Sequence, residues 1–94
     1  MPSYLCLGKY SVEGVKNVSR TRRDEVERKV QAGGGKIIQS CALLGPYDLA
    51  VMIECPDAAA MATISVSISK VTGMGLLSME TIDFEEFLKS AETA

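Results

Sequence analysis

The chain has 94 residues, a net charge of −2 and 47% hydrophobic content, enough for one core and too little for two domains. With no histidine, Ser-His-Asp and Cys-His nucleophile systems, His-ligated zinc and His-ligated haem are all excluded. The slightly acidic balance argues against a nucleic-acid binder, and no apolar run approaches the about 18 residues of a membrane span.

Tyr4 to Tyr10 reads as a first strand. Val12, Val15 and Val18 then recur at helical spacing, and Val26 and Val30 repeat the pattern after a break. Thr21-Arg22-Arg23-Asp24 has the form of a capping box, so a short helix to about Val18 and a longer one from Arg22 to Ala32 are predicted, with Thr21 as cap. Gly33-Gly34-Gly35 stops the second of these by supplying a left-handed turn.

Lys36 to Leu44 is a second strand, Gly45-Pro46-Tyr47-Asp48 a tight turn, and Leu49 to Glu54 a third strand, which makes a hairpin. Pro56-Asp57 opens a helix whose apolar stripe is Met61, Ile64, Ile68 and Val71, ended by Gly73. Leu76 to Ile82 is the fourth strand, and residues 82–94 form a helical tail with Phe84, Phe87 and Leu88 on one face.

The order is therefore βαββαβ plus a tail within a single domain, residues 1–94. Its economical solution is a ferredoxin-like α+β fold: a four-stranded antiparallel sheet, order 4-1-3-2, with the helices on one face. In the third strand the branched residues Leu49, Val51 and Ile53 belong under the helices. Bulk places Leu5, Leu7, Leu77 and Met79 there as well. The opposite face would then carry Cys6, Gly8, Ala50, Met52, Ser78 and Glu80, rimmed by Tyr4, Tyr10, Leu76 and Ile82. Strand two has no secure facing, because one residue of slip in the turn inverts it.

Such a mixed face predicts a homodimer, or a larger assembly of dimers, paired sheet to sheet. The small residues Gly8, Ala50 and Ser78 would leave a small-molecule cavity at that interface. The register expected has Glu54 opposite Tyr4, Met52 opposite Cys6, Ala50 opposite Gly8 and Asp48 opposite Tyr10. Asp48 would then close its own turn, as aspartate commonly does, or accept backbone N–H groups near the start of the first helix or pair with Lys9, while Tyr47 covers the cavity mouth. The candidate ligand-binding set is Gly8, Tyr10, Tyr47, Asp48, Met52, Ser78 and Glu80.

Cys6, Cys41 and Cys55 give an odd count without a CxxC pair, which predicts reduced thiols in a cytoplasmic protein and no metal site. Cys6 is expected to be packed, and Cys55, before a helix, to be the exposed one. Met1-Pro2-Ser3-Tyr4 lacks the charged start and apolar run of a signal peptide. Lys16, Arg20, Arg22 and Arg23 form a cationic cluster, read as solvated surface or as a contact for phosphate or an acidic partner.

Over almost its whole length the chain resembles the GYD-domain family, named for a Gly-x-Tyr-Asp motif. The matching segments are Met1 to Tyr4, Leu7 to Tyr10, Glu13 to Val18, Gly34-Gly35-Lys36, Leu44 to Asp48, Glu54 to Asp57, and Glu80-Thr81 with Phe84 to Phe87. The basic Arg20 to Arg23 segment and the Ser-rich second helix depart from the family pattern. The resemblance implies a dimeric α+β barrel. Relatives in that superfamily include cofactor-free oxygenases, isomerases, haem enzymes and amino-acid-sensing domains, so no single activity is implied. Two functions follow as expectations. One is a non-catalytic binding or sensing module without cofactor. The other is a cofactor-free enzyme, of isomerase or monooxygenase type, using Glu80, Tyr10 and Asp48.

Overall fold

A computed structural model describes all 94 residues. The elements run β1 (Ser3–Tyr10), α1 (Val12–Lys16), α2 (Arg20–Ala32), β2 (Lys36–Ala42), β3 (Leu49–Glu54), α3 (Ala58–Thr72), β4 (Met74–Glu80) and α4 (Phe84–Thr93). The sheet is antiparallel with order β2-β3-β1-β4, the ferredoxin-like arrangement that the element order predicts.

Local chemistry sets the boundaries. The Ser11 hydroxyl caps α1 by accepting from Gly14 N at 2.9 Å. The cap of α2 is Ser19, not Thr21: Ser19 has extended backbone, and its hydroxyl accepts from Arg22 N at 3.1 Å. An N-cap needs that extended conformation, whereas Thr21 already lies inside the helix. Asp57 caps α3, accepting from Ala60 N at 2.8 Å. Gly73 ends α3 with φ +69°, a left-handed position that favours glycine. At the end of α2 the cap Gly33 is right-handed, and Gly34 makes the left-handed step at φ +82°.

Tyr4 pairs with Ile53, Cys6 with Val51 and Gly8 with Leu49. On the other side Tyr4 pairs with Glu80, Cys6 with Ser78, Gly8 with Leu76 and Tyr10 with Met74. The register thus lies one residue from the expected one, and one residue inverts a strand's faces. Tyr4, Cys6 and Gly8 lie under the helices beside the buried Val51 and Ile53, while Leu5, Leu7, Leu77 and Met79 share the open face with Ala50 and Met52. The expected facing of β3 is correct, and that of β1 and β4 is reversed.

The physical reason is close approach. A Cβ on Gly8 would sit 2.8 Å from Met74 Sδ, and Ser78 Oγ lies 2.9 Å from Ser65 Oγ of α3. Small residues here let α3 settle on the strands; they do not vacate space for a ligand at the open face.

The core joins Ile53, Val51, Tyr4 and Cys6 to Val30 of α2 and to Met61, Ile64 and Ile68 of α3. Three of the four expected stripe residues on α3 are buried. Val71 is half-buried, and Thr72 takes the last buried place, donating to Ile68 O at 2.7 Å and accepting from Met74 N at 3.1 Å. Strand β2 turns Ile37, Ser40 and Ala42 toward the helices, with a register slip at Ile38. It ends at Ala42, and Leu43 and Leu44 are exposed. Beyond β4, α4 buries none of its residues, with Leu88 half-buried; Phe84 and Phe87 stack at 6.0 Å on its exposed side.

A cleft between the second helix and the sheet

Helix α2 meets the core through Val30 and the half-buried Val26, one turn earlier. Its N-terminal half covers a cavity of about 780 Å³. The floor is Leu49, Val51 and Ile53 of β3 with Met74 and Leu76 of β4, and α3 closes one side with Ile68 and Thr72. Ile37 and Ser40 of β2 form the outer wall, and Val26, Arg20, Arg22 and Arg23 face it from α2. The interior is thus aliphatic, and the charge is carried at the α2 side.

Arg22 is held in place from two directions. Its Nη1 donates to Gly14 O at 2.6 Å, and its guanidinium lies 5.3 Å from the centre of the Tyr10 ring, a cation–π distance. Tyr10 is fixed in turn by Asp48, whose Oδ2 accepts from Tyr10 N at 2.9 Å. Asp48 N donates to Gly8 O at 2.8 Å, and Leu43 N donates to Asp48 O at 2.9 Å. Of the roles expected for Asp48, the carboxylate takes a backbone N–H across strands at this end of the sheet; it does not close its own turn. Asp48→Ala is therefore expected to lose about 1–3 kcal/mol, because Tyr10 N–H is left without its partner. That corresponds to a melting point lower by at least about 4 °C in a domain of this size. Asp48→Asn, which retains an acceptor oxygen, should fall by less, and equal melting of both variants with wild type would show the bond to be inert.

The candidate residues do not gather at one place. Tyr10 lines the cleft. Asp48 supports it from behind, and Tyr47 is half-buried in the turn outside it. Gly8 is packed against Met74, Ser78 is bonded to Ser65, and both belong to the helix side. Met52 is on the open face. Glu80 accepts from Tyr4 Oη at 3.3 Å, at the opposite end of β1 from Tyr10. The two ends are six residue steps of strand apart, about 20 Å. Glu80, Tyr10 and Asp48 are therefore not assembled into one catalytic set.

The thiols behave as packed side chains where they are buried. Burial pushes the Cys6 thiol above its ordinary value, and a hydrogen bond with Ser78 offsets part of that rise. Burial likewise raises Cys55, which is enclosed and not exposed as expected; the exposed cysteine is Cys41. Burial, then the neighbouring Glu80 carboxylate, raises the Tyr4 phenol. These groups favour their neutral forms, which suits packing and not nucleophilic attack. No three cysteine or carboxylate side chains converge as a metal-holding group.

The profile of the GYD domain matches residues 4–91. The chain is a member of the GYD-domain family. In this GYD domain the Gly-x-Tyr-Asp motif, Gly45 to Asp48, does structural work: its aspartate ties the hairpin turn to the end of β1 beneath the cleft mouth. No curated protein matches the chain. No helix is long and apolar enough to cross a membrane.

The residues that line the cleft include several that sequence reasoning passed over, chiefly Val26, Ile37, Ser40 and Met74. The one signal visible in the sequence is the arginine cluster at Arg20 to Arg23, which reads either as solvated surface or as a contact for phosphate or an acidic partner.

Proposed function

We propose that this GYD domain is a non-catalytic binding module, a homodimer paired through its open sheet faces that holds a small molecule in the cleft under α2 of each protomer. The observation that carries the proposal is the cleft itself. Its about 780 Å³ falls within the size range of ligand pockets, its floor is apolar, and a few polar groups, Arg22, Arg23 and Ser40, border it. The cleft lies on the helix side of the sheet and is distinct from the sheet-to-sheet cavity expected from sequence. The separation of Glu80 from Tyr10 and Asp48 favours binding over catalysis.

Pairing is supported by the open face, where Leu77 is 46% and Met79 38% exposed on the edge strand β4, beside Leu5 and Leu7 of β1. An apolar patch of that kind marks an interaction site. The unpaired thiols Cys6, Cys41 and Cys55 suit the reducing cytoplasm.

Nile red, an uncharged apolar dye, tests the cleft. Wild type is expected to bind it saturably, one dye per chain, with a rise in fluorescence. Val26→Trp fills the cleft from the α2 side and should weaken binding by about tenfold or more with an unchanged circular dichroism spectrum. No saturable binding, or equal binding by folded Val26→Trp, would remove the basis of the proposal.

A further inference from the structure

We infer that the cleft selects amphipathic carboxylates, with an aliphatic chain on the floor of β3 and β4 and the anionic head against Arg22. The inference rests on the cleft being the binding site. Charge points to the sign of the head. Arg20, Arg22 and Arg23 border the cavity, against one carboxylate, Glu27. Arg23 has Asp24 at 3.7 Å, whereas neither Arg20 nor Arg22 has an ion-pair partner.

Arg22 is the group placed to receive the head. It is half-buried, so its charge is partly stripped of water. One face of its guanidinium is occupied by Tyr10, and one N–H is spent on Gly14 O. A guanidinium carries five N–H donors in a planar fork that matches the two oxygens of a carboxylate. The fixed orientation removes the cost of ordering a long side chain at binding. A cationic head would face three arginines, and an uncharged one would leave Arg22 without a counter-charge.

The body of the ligand follows from the floor. The half-buried Leu49, Leu76, Val26 and Ile37 present aliphatic surface over the buried Val51, Ile53 and Met74, and Tyr10 is the one aromatic ring, already covered by Arg22. Such a floor fits a flexible aliphatic chain and offers no stacking partner to a planar ring.

The test is a displacement series of equal chain length against bound Nile red: decanoate, decanol and decylammonium, each below its micelle concentration, with acetate as the head alone. Decanoate is expected to bind about tenfold tighter than decanol, the worth of a hydrogen-bonded charge pair, and acetate should displace no dye. Added salt should weaken decanoate and leave decanol unchanged. Arg22→Gln should bring decanoate to the affinity of decanol while decanol holds its wild-type value. Arg20→Gln, an exposed substitution that spares the tether to Gly14, should give a smaller loss. Decanol binding as tightly as decanoate, with Val26→Trp still blocking both, would overturn the anionic assignment and leave the cleft standing. A full decanoate preference in folded Arg22→Gln would overturn the role of Arg22. Binding of every probe unaffected by Val26→Trp would remove the cleft and this inference together.

Discussion

Gly14→Ala is expected to destabilise the protein by about 3 kcal/mol, at the upper end of what overpacking costs. Helix propensity alone argues the other way. Gly14 lies within α1, and alanine is better than glycine in a helix by about 1 kcal/mol. The added methyl, however, would sit 2.5 Å from Thr72 O and 3.1 Å from Ser11 Oγ. The nearer atom is backbone at the end of α3, so no rotamer change relieves it. Either α1 moves, breaking the cap from Ser11 and the bond from Arg22 to Gly14 O, or the end of α3 moves, disturbing Thr72 and Gly73.

Gly75→Ala is the matched control. It is exposed on β4, and a Cβ there meets nothing within 4 Å. It should be neutral or stabilising, by up to about 1 kcal/mol, because alanine restricts the unfolded chain. Urea denaturation of the two variants checks the sign. A Gly14→Ala variant as stable as wild type would show that the junction of α1 and α3 is looser than this geometry.

The second large effect concerns assembly. Wild type should scatter light as a dimer at micromolar concentration, and Leu77→Glu and Met52→Glu should each scatter as monomers. Both residues lie on the open face, amid Leu5, Leu7 and Met79. An unpaired carboxylate buried at such a contact costs about 3–5 kcal/mol, which weakens association by at least a hundredfold. Both variants should still fold, because their side chains point away from the core of the single chain. Leu76, by contrast, lines the cleft on the other side of β4, so Leu76→Glu should lower the melting point. A monomeric wild type, or a dimeric Leu77→Glu, would remove the sheet-to-sheet assembly.

The strand order, the two β-α-β units, the hairpin, the helix opening at Pro56-Asp57 and most of the α3 stripe are legible in the residues, because each follows from local periodicity and turn chemistry. The facing of β1 is not. Cys6 and Gly8 alternate with Leu5 and Leu7, and both sets are apolar, so alternation alone does not say which is inside. Bulk favours the leucines, but closeness of α3 to the strands favours the smaller pair, and that closeness is a tertiary property. The same is true of the cleft. Arg20, Arg22, Arg23 and Val26 can be read as a basic start and an apolar stripe. Their place above the aliphatic floor of β3 and β4 depends on how α2 lies across the sheet, which local pattern does not encode.

Helix α4 stands outside the cooperative unit that the sheet, α2 and α3 form. It has ten residues, none of them buried. Isolated helices shorter than about 12–15 residues are marginal in water, since nucleation is costly and few backbone bonds repay it. What holds α4 is its cap, Asp83 accepting from Glu86 N at 3.2 Å, and the acidic Glu85 and Glu86 near its positive end. Its coil form therefore competes with its helix independently of global unfolding, and its amides exchange with solvent long before those of β1 and β3. Any surface that covers Phe84 and Phe87 draws this equilibrium toward helix, so the helicity of the last turns becomes a readout of whether that aromatic side is engaged.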